Sequence, residues 1–343
     1  MLGSRKTPME NLARIYDCKI ETIQDSTFLE VVTETQKRKL FESLQRIATC
    51  MKRPHPNHLT LTFRGDNSLN LTPKLTSSST VIQEHKLVSL LFYFGDKAKH
   101  FYEFEDEEAK NSRWITRIED HADGTAEVIF NKIKRLIKSK NERVVRFCAR
   151  NPAFESYFKG NNKEHFVKML KEDKKYGRDY YLYLLHTAGK IGIGNKSLLV
   201  STSRSYNIAE LFAGEAETRY IIFYIIPSPI KYHAVSHTLK NSYEQSLKKN
   251  GLPIYEGASL YPDQNEVAIK GALFSHHILG MMVVGENRFI ANPHLFKEGN
   301  SVDSFSTGLN FDQSNFEKDL CGTGYKRGVG TFLDGYYHTV KRT

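Results

Sequence analysis

The stretch Leu198-Leu199-Val200-Ser201-Thr202-Ser203, running into Tyr206 to Phe212-Ala213-Gly214, decides how this chain is read. An apolar run that ends in three hydroxyl residues predicts a strand, Ser197–Ser201, whose far end leaves the core. The segment Tyr206–Gly214 predicts a helix directly after it. Working outward, strands are expected at Tyr180–Leu185, Arg219–Ile226, Glu266–Ile269 and Met281–Val284, and a second helix at Ser236–Asn250. Strands outnumber helices and most connections are too short for crossover helices. The pattern therefore predicts an α+β fold with a curved or split sheet, not a doubly wound parallel one.

The first half reads differently. Glu34 to Met51 carries Leu40, Phe41, Leu44, Ile47 and Ala48 at spacings of three, four and seven, so residues 1–53 are expected to be helical until Pro54 and Pro56. From His58 the period changes to two. Leu59, Leu61 and Phe63 alternate with Thr60, Thr62 and Arg64 before a Gly65-Asp66-Asn67-Ser68 turn. Further hairpins are expected from Leu87–Phe94 and Lys99–Phe104 around Gly95-Asp96, and from Trp114–Glu119 and Thr125–Phe130 around Asp123-Gly124. Asn131 to Arg150 reads as a basic amphipathic helix in which Lys132, Lys134, Arg135, Lys138, Lys140, Arg143, Arg146 and Arg150 are opposed only by Glu142.

Composition bounds the function. The 343 residues hold 49 Lys and Arg against 39 Asp and Glu, for a net charge of +10, with 40% hydrophobic residues. That is enough apolar material for a packed core and enough positive charge to favour an acidic or phosphate-rich partner. Residues 1–150 carry 26 basic and 20 acidic side chains and residues 151–343 carry 23 and 19, so the excess is spread along the chain. Met1 to Glu10 lacks an apolar signal-peptide core, and no apolar run reaches membrane-spanning length. Cys18, Cys50, Cys148 and Cys321 lie far apart, as expected of reduced thiols in a cytoplasmic protein rather than of disulfides or a zinc site. No metal ligand set accompanies His276-His277, and Gly189-Lys190-Ile191-Gly192-Ile193-Gly194 lacks the Lys-Ser/Thr ending of a P-loop.

Three segments, in order, carry chemistry. The first is Tyr181-Leu182-Tyr183-Leu184-Leu185-His186-Thr187-Ala188-Gly189, read as a strand ending in a histidine. The second is Ser201-Thr202-Ser203 followed by Ile208-Ala209-Glu210-Leu211-Phe212-Ala213. The third is Gln264-Asn265-Glu266-Val267-Ala268-Ile269-Lys270-Gly271. This order resembles the ADP-ribosyltransferase superfamily, whose members have a first-strand Arg or His, a Ser-Thr-Ser strand and an X-x-Glu on a later strand. The resemblance covers roughly residues 175–285. It implies an ADP-ribosyltransferase-like split-sheet catalytic domain over residues 161–343. Residues 1–160 would then form a mixed helical and β-hairpin domain for target or partner recognition.

The resemblance also implies roles. NAD+ is the co-substrate and no metal is needed. Breaking the nicotinamide–ribose bond develops positive charge on the ribose, which a single carboxylate, Glu266, would stabilise while binding the 2′-hydroxyl. Ser201 would hold that carboxylate and the ribose, and Thr202 and Ser203 would pin the strand edge. His186 and Thr187 would fix the adenosine-side ribose or the nicotinamide amide, and Tyr206 or Phe212 would stack on the nicotinamide ring. Gln264 stands where arginine-modifying members carry glutamate. It cannot act as a base, but it offers a donor and an acceptor to an amide or to the edge of a nucleobase.

The expected function is an NAD+-dependent mono-ADP-ribosyltransferase acting as a toxin on a base of RNA or single-stranded DNA, a setting that includes conflict between bacterium and phage. Lys134, Arg135 and Lys138 would contact the nucleic acid, and a neutralising antitoxin or chaperone is a possible partner. The alternatives are transfer to a protein Asn, Gln or Cys side chain, NAD+ glycohydrolysis, and a nucleic-acid-binding module without activity.

Overall fold

The structure, a computed structural model, describes residues 19–23, 26–30, 35, 60–76, 79–97, 118–173, 176–192, 199–226, 233–257, 260–274, 277–286, 288–292, 329–333 and 336–340. In chain order the strands are β1 (Lys19–Ile23), β2 (Ser26–Glu30), β3 (Thr60–Asn67), β4 (Gly95–Asp96), β5 (Leu199–Ser203), β6 (Arg219–Ile226), β7 (Ala234–Ser236), β8 (Glu266–Lys270), β9 (Leu273–Phe274), β10 (Ile278–Val283), β11 (Arg288–Ala291), β12 (Val329–Leu333) and β13 (Tyr336–Val340). The helices are α1 (Ser68–Thr76), α2 (Glu84–Phe94), α3 (Ile118–Leu136), α4 (Glu142–Arg150), α5 (Pro152–Lys159), α6 (Lys163–Asp173), α7 (Tyr176–Thr187), α8 (Tyr206–Phe212) and α9 (His237–Lys249).

The fold is α+β, as the strand and helix pattern predicts. The main sheet runs β1-β2-β11-β10-β6-β3-β5-β8-β7, and its described pairings are antiparallel. Its two faces are covered by different helices because side chains alternate along each strand. On one face, Leu199, Val235 and Ala268 join a core with α3, α4, α5, α6, α7 and α9. On the other, Val200, Ile222, Val267, Ile269 and Met281 pack with Leu71, Leu75, Leu87 and Leu91 of α1 and α2. β3 sits between β6 and β5, so the sheet draws strands from both sides of residue 160, where the sequence suggested a division.

Several local expectations are corrected. Leu87–Phe94 and Tyr180–Leu185 are helical, lying in α2 and α7. Both runs are apolar or aromatic nearly throughout, so period two and period 3.6 cannot be told apart in them. Thr125–Phe130 is the middle of α3, which runs through Asp123-Gly124, and its buried Ala126, Ile129, Phe130, Ile133 and Leu136 show helical spacing. The basic segment Asn131–Arg150 is the end of α3, a turn and α4 rather than one helix. Lys19–Ile23 and Ser26–Glu30 are paired strands inside the region read as helical. The Glu34–Met51 helix falls almost wholly outside the described residues, as do Lys99–Phe104 and the start of the Trp114–Glu119 strand.

Gly65-Asp66-Asn67 is not a turn. β3 continues through it in register with Ile221, Tyr220 and Arg219 of β6. A Cβ on Gly65 would lie 1.7 Å from the Ala209 carbonyl oxygen, so the glycine is there to let α8 lie against the strand.

Candidate active site

The site forms where the sheet parts. β3 and β6 share eight registered pairs, but β3 and β5 share one, Phe63 with Ser203. Beyond that pair a side chain replaces the backbone ladder: Arg64 Nη1 donates to the Ser201 carbonyl at 2.8 Å. A cleft of about 250 Å³ opens there, lined by Arg64, Lys74, Ser201, Phe212, Gln264 and Glu266 among others.

Glu266 is the first residue of β8 and stands directly opposite Ser203 of β5, with Ser201 two residues further along the same face. The chain reaches it through a single 3₁₀ turn, Pro262–Gln264, and a left-handed Asn265 (φ 46°), which lets Gln264 and Glu266 both border the cleft. Ser203 Oγ donates to the Gln264 carbonyl at 2.8 Å, and Arg204 N to the Asn265 carbonyl at 3.1 Å. Thr202, buried, donates to the Val267 carbonyl at 2.6 Å. The Ser-Thr-Ser run thus locks the loop that carries Gln264 and the strand that carries Glu266.

His186 reaches the same point from above. It lies in the last turn of helix α7, not at the end of a strand, and its Nε2 is 2.9 Å from Ser201 Oγ and 3.0 Å from Glu266 Oε1. Both contacts use one ring nitrogen. A Ser-His-Glu hydrolase relay needs the two on opposite nitrogens, so the trio does not activate Ser201 as a nucleophile. The arrangement instead places the imidazole between the Ser201 hydroxyl and the Glu266 carboxylate, fixing the carboxylate through the ring.

Arg64, which the sequence reading treated as the polar half of an alternating strand, is the residue it missed. The signal was Phe63-Arg64-Gly65 on a strand beside Ser-Thr-Ser, hidden because Gly65 was taken for a turn. Arg64 Nε also bonds Asp96 and Nη2 bonds Asp66 at 3.1 Å, while Lys74 pairs with the same two carboxylates. Burial works against the Arg64 guanidinium, but Asp96 and Asp66 hold it above its ordinary value. Burial likewise opposes ionisation of Asp96, and Arg64, Lys74 and Lys97 outweigh it and hold that carboxyl below the usual carboxylate range.

The remaining expected residues divide. Phe212 borders the cleft and is 56% exposed. Tyr206 packs edge-on against Phe63, with ring centroids 5.9 Å apart, as part of the seat of α8. Thr187 is buried and donates to the Leu184 carbonyl inside its own helix, so it is not brought to the cleft. Lys134, Arg135 and Lys138 lie at the end of α3 and in the turn after it, with Lys134 over the Phe130 ring at 6.0 Å. Among the described residues there is no group of three or more His, Cys, Asp or Glu placed to hold a metal, and no helix long and apolar enough to cross a membrane. No family model, curated protein or solved structure matches the chain.

Proposed function

We propose that the chain is an NAD+-dependent mono-ADP-ribosyltransferase whose acceptor is a base of single-stranded nucleic acid. The observation that carries this reading is the Glu266 carboxylate held by His186, itself bonded to Ser201, in a cleft shared with Gln264 and Arg64. The residues fit NAD+ by their chemistry. Arg64 and Lys74, though matched by Asp66 and Asp96, border the cleft with N–H donors for a diphosphate or ribose, Phe212 offers an aromatic face to nicotinamide, and Glu266 offers one carboxylate to the ribose between them.

In this reading the bond from the ribose anomeric carbon to the nicotinamide nitrogen breaks, and its electron pair leaves with neutral nicotinamide. Glu266 accepts the 2′-hydroxyl hydrogen bond and faces the positive charge left on the sugar. Its role needs an ionised carboxylate that is oriented but not neutralised by a permanent cation, and the His186 imidazole, itself bonded to Ser201, supplies that. Gln264, two residues before it, presents a carboxamide to the acceptor, whose nucleophilic atom then bonds to the anomeric carbon. Arg64, on the strand beside Ser-Thr-Ser, would serve as the arginine of the site in place of His186. His186 positions Glu266 instead of binding the cofactor.

Labelled NAD+ incubated with the protein and total RNA, single-stranded DNA or nuclease-treated lysate tests the proposal. Label on nucleic acid that disappears in Glu266→Gln is the expected result. Label on protein alone would replace the acceptor, and free ADP-ribose alone would make the chain a glycohydrolase. Undiminished transfer by Glu266→Gln would overturn the site.

A further inference from the structure

The first turn of helix α4 meets the chain just before Gln264, which lines the cleft. The Arg143 guanidinium lies 4.4 Å from the centre of the Tyr261 ring, and Arg143 Nη1 donates to the Leu260 carbonyl at 3.4 Å. Tyr261 leads directly into the Pro262–Gln264 turn, so this stack ties α4 to the loop that carries Gln264. Val144, Phe147 and Cys148 bury the inner side of α4, while Arg143, Arg146 and Arg150 are exposed together with Val145, which is 52% exposed. The one acid of the helix, Glu142, is paired with Arg146 at 3.3 Å. Lys138 and Lys140, in the turn before it, are exposed as well.

We infer that the outer face of α4, ending at the Arg143–Tyr261 stack, is the track along which a single-stranded nucleic acid enters the site. This rests on the acceptor assigned above and gives it a place. Arginines and lysines spaced along a helix and its leading turn match a phosphate backbone, and an apolar side chain among them suits the faces of sugars and bases. A planar guanidinium over a tyrosine ring is a platform on which an unstacked base adds a further layer. An acidic peptide would satisfy the charges and leave the stack without a use. A duplex would keep its bases paired and out of reach of Gln264. The track starts from Arg143, whose contacts to Tyr261 and Leu260 join it to the loop that carries Gln264.

The test uses the full chain, with a fluorescent single-stranded oligoribonucleotide and the oligodeoxyribonucleotide of the same sequence as probes. Anisotropy across a salt series reads binding, and labelled NAD+ reads the ratio of transferred label to nicotinamide released. Arg143→Ala is expected to weaken binding about tenfold, the loss of one stacking contact, and to lower the transfer ratio. Arg143→Lys, which keeps the charge and loses the plane, should recover part of the binding but not the ratio. Arg146→Glu with Arg150→Glu should flatten the salt dependence. A preference for one probe assigns the sugar type that the track accepts. Unchanged binding and ratio in all three variants would overturn the track, as would label carried only by protein. If the wild type releases no nicotinamide, the enzymatic reading fails by itself, and the binding series still decides whether α4 is a nucleic-acid track.

Discussion

Two polar contacts tie β8 to α7, and they are built for opposite ends. At the start of the strand, Glu266 meets His186 of the last helical turn at 3.0 Å. At its end, Lys270 meets Asp179 of the first helical turns, and Arg178 adds a second cation to that carboxylate at 3.3 Å. The side chains are about equally shielded in the two pairs. The difference is in the partners. Burial would raise the Asp179 carboxyl, yet Lys270 and Arg178 outweigh it and hold it below the usual range. Glu266 meets one imidazole, itself bonded to Ser201, and borders an open cleft. The Asp179 carboxylate is matched by two permanent cations, whereas that of Glu266 is held by a histidine beside the cleft. One strand and one helix thus carry a clamp at one end and the proposed reactive group at the other.

The largest effect should come from the clamp. Asp179→Ala takes the carboxylate away from Lys270 and the buried Arg178, so it should destabilise the protein by about 3–5 kcal/mol, read as a fall in the denaturant midpoint. If the midpoint barely moves, the Lys270 end does not anchor β8.

His233 sharpens the same end. Burial, and then Lys270 beside it, push its imidazole from the ordinary 6.5 down to about 3. The folded state therefore keeps His233 neutral while the unfolded chain protonates it. The stability that depends on the neutral ring is fully present above pH 6.5 and declines as pH falls toward 3, at up to about 1.4 kcal/mol per pH unit. Urea unfolding at several pH values should show a shallower acid slope for His233→Gln than for the wild type. Parallel slopes would remove Lys270 from the account of that histidine.

The reactive end should respond in rate rather than in stability. His186→Ala loses a hydrogen bond to a charged group, which corresponds to roughly a tenfold fall in kcat, with KM for NAD+ and the melting temperature little changed. His186→Gln puts an amide nitrogen near the position of Nε2 and should restore most of the rate. A fall in melting temperature matching that of Asp179→Ala would make both contacts clamps and dissolve the comparison.

The parts of this arrangement that could be read in the sequence are those with a clean local pattern. β5, α8, β6, α9 and β8 fall within a few residues of expectation because apolar runs there end in Ser, Gly, Pro or charged residues. Gln264, Glu266 and Ser201 were legible because short motifs place them. α2 and α7 were not, since Leu87–Phe94 and Tyr180–Leu185 are apolar or aromatic nearly throughout and no polar face marks the helical period. The wrong period for α7 put His186 on a strand, when a helix delivers it to Glu266. Arg64 was lost for a different reason. Its neighbour Gly65 serves a close helix–strand contact with Ala209, a long-range demand that looks like a turn when only adjacent residues are considered. The lone Phe63–Ser203 pair that opens the cleft is likewise a property of the assembled sheet.

The central claim is that Glu266 is the charge on which the chemistry depends, and nicotinamide release from NAD+ by wild type and Glu266→Gln measures it most directly. Glutamine keeps the shape of the side chain and removes its charge. The account predicts a fall of about 10²- to 10³-fold in the rate at an unchanged melting temperature. Release by Glu266→Gln at the wild-type rate would contradict it.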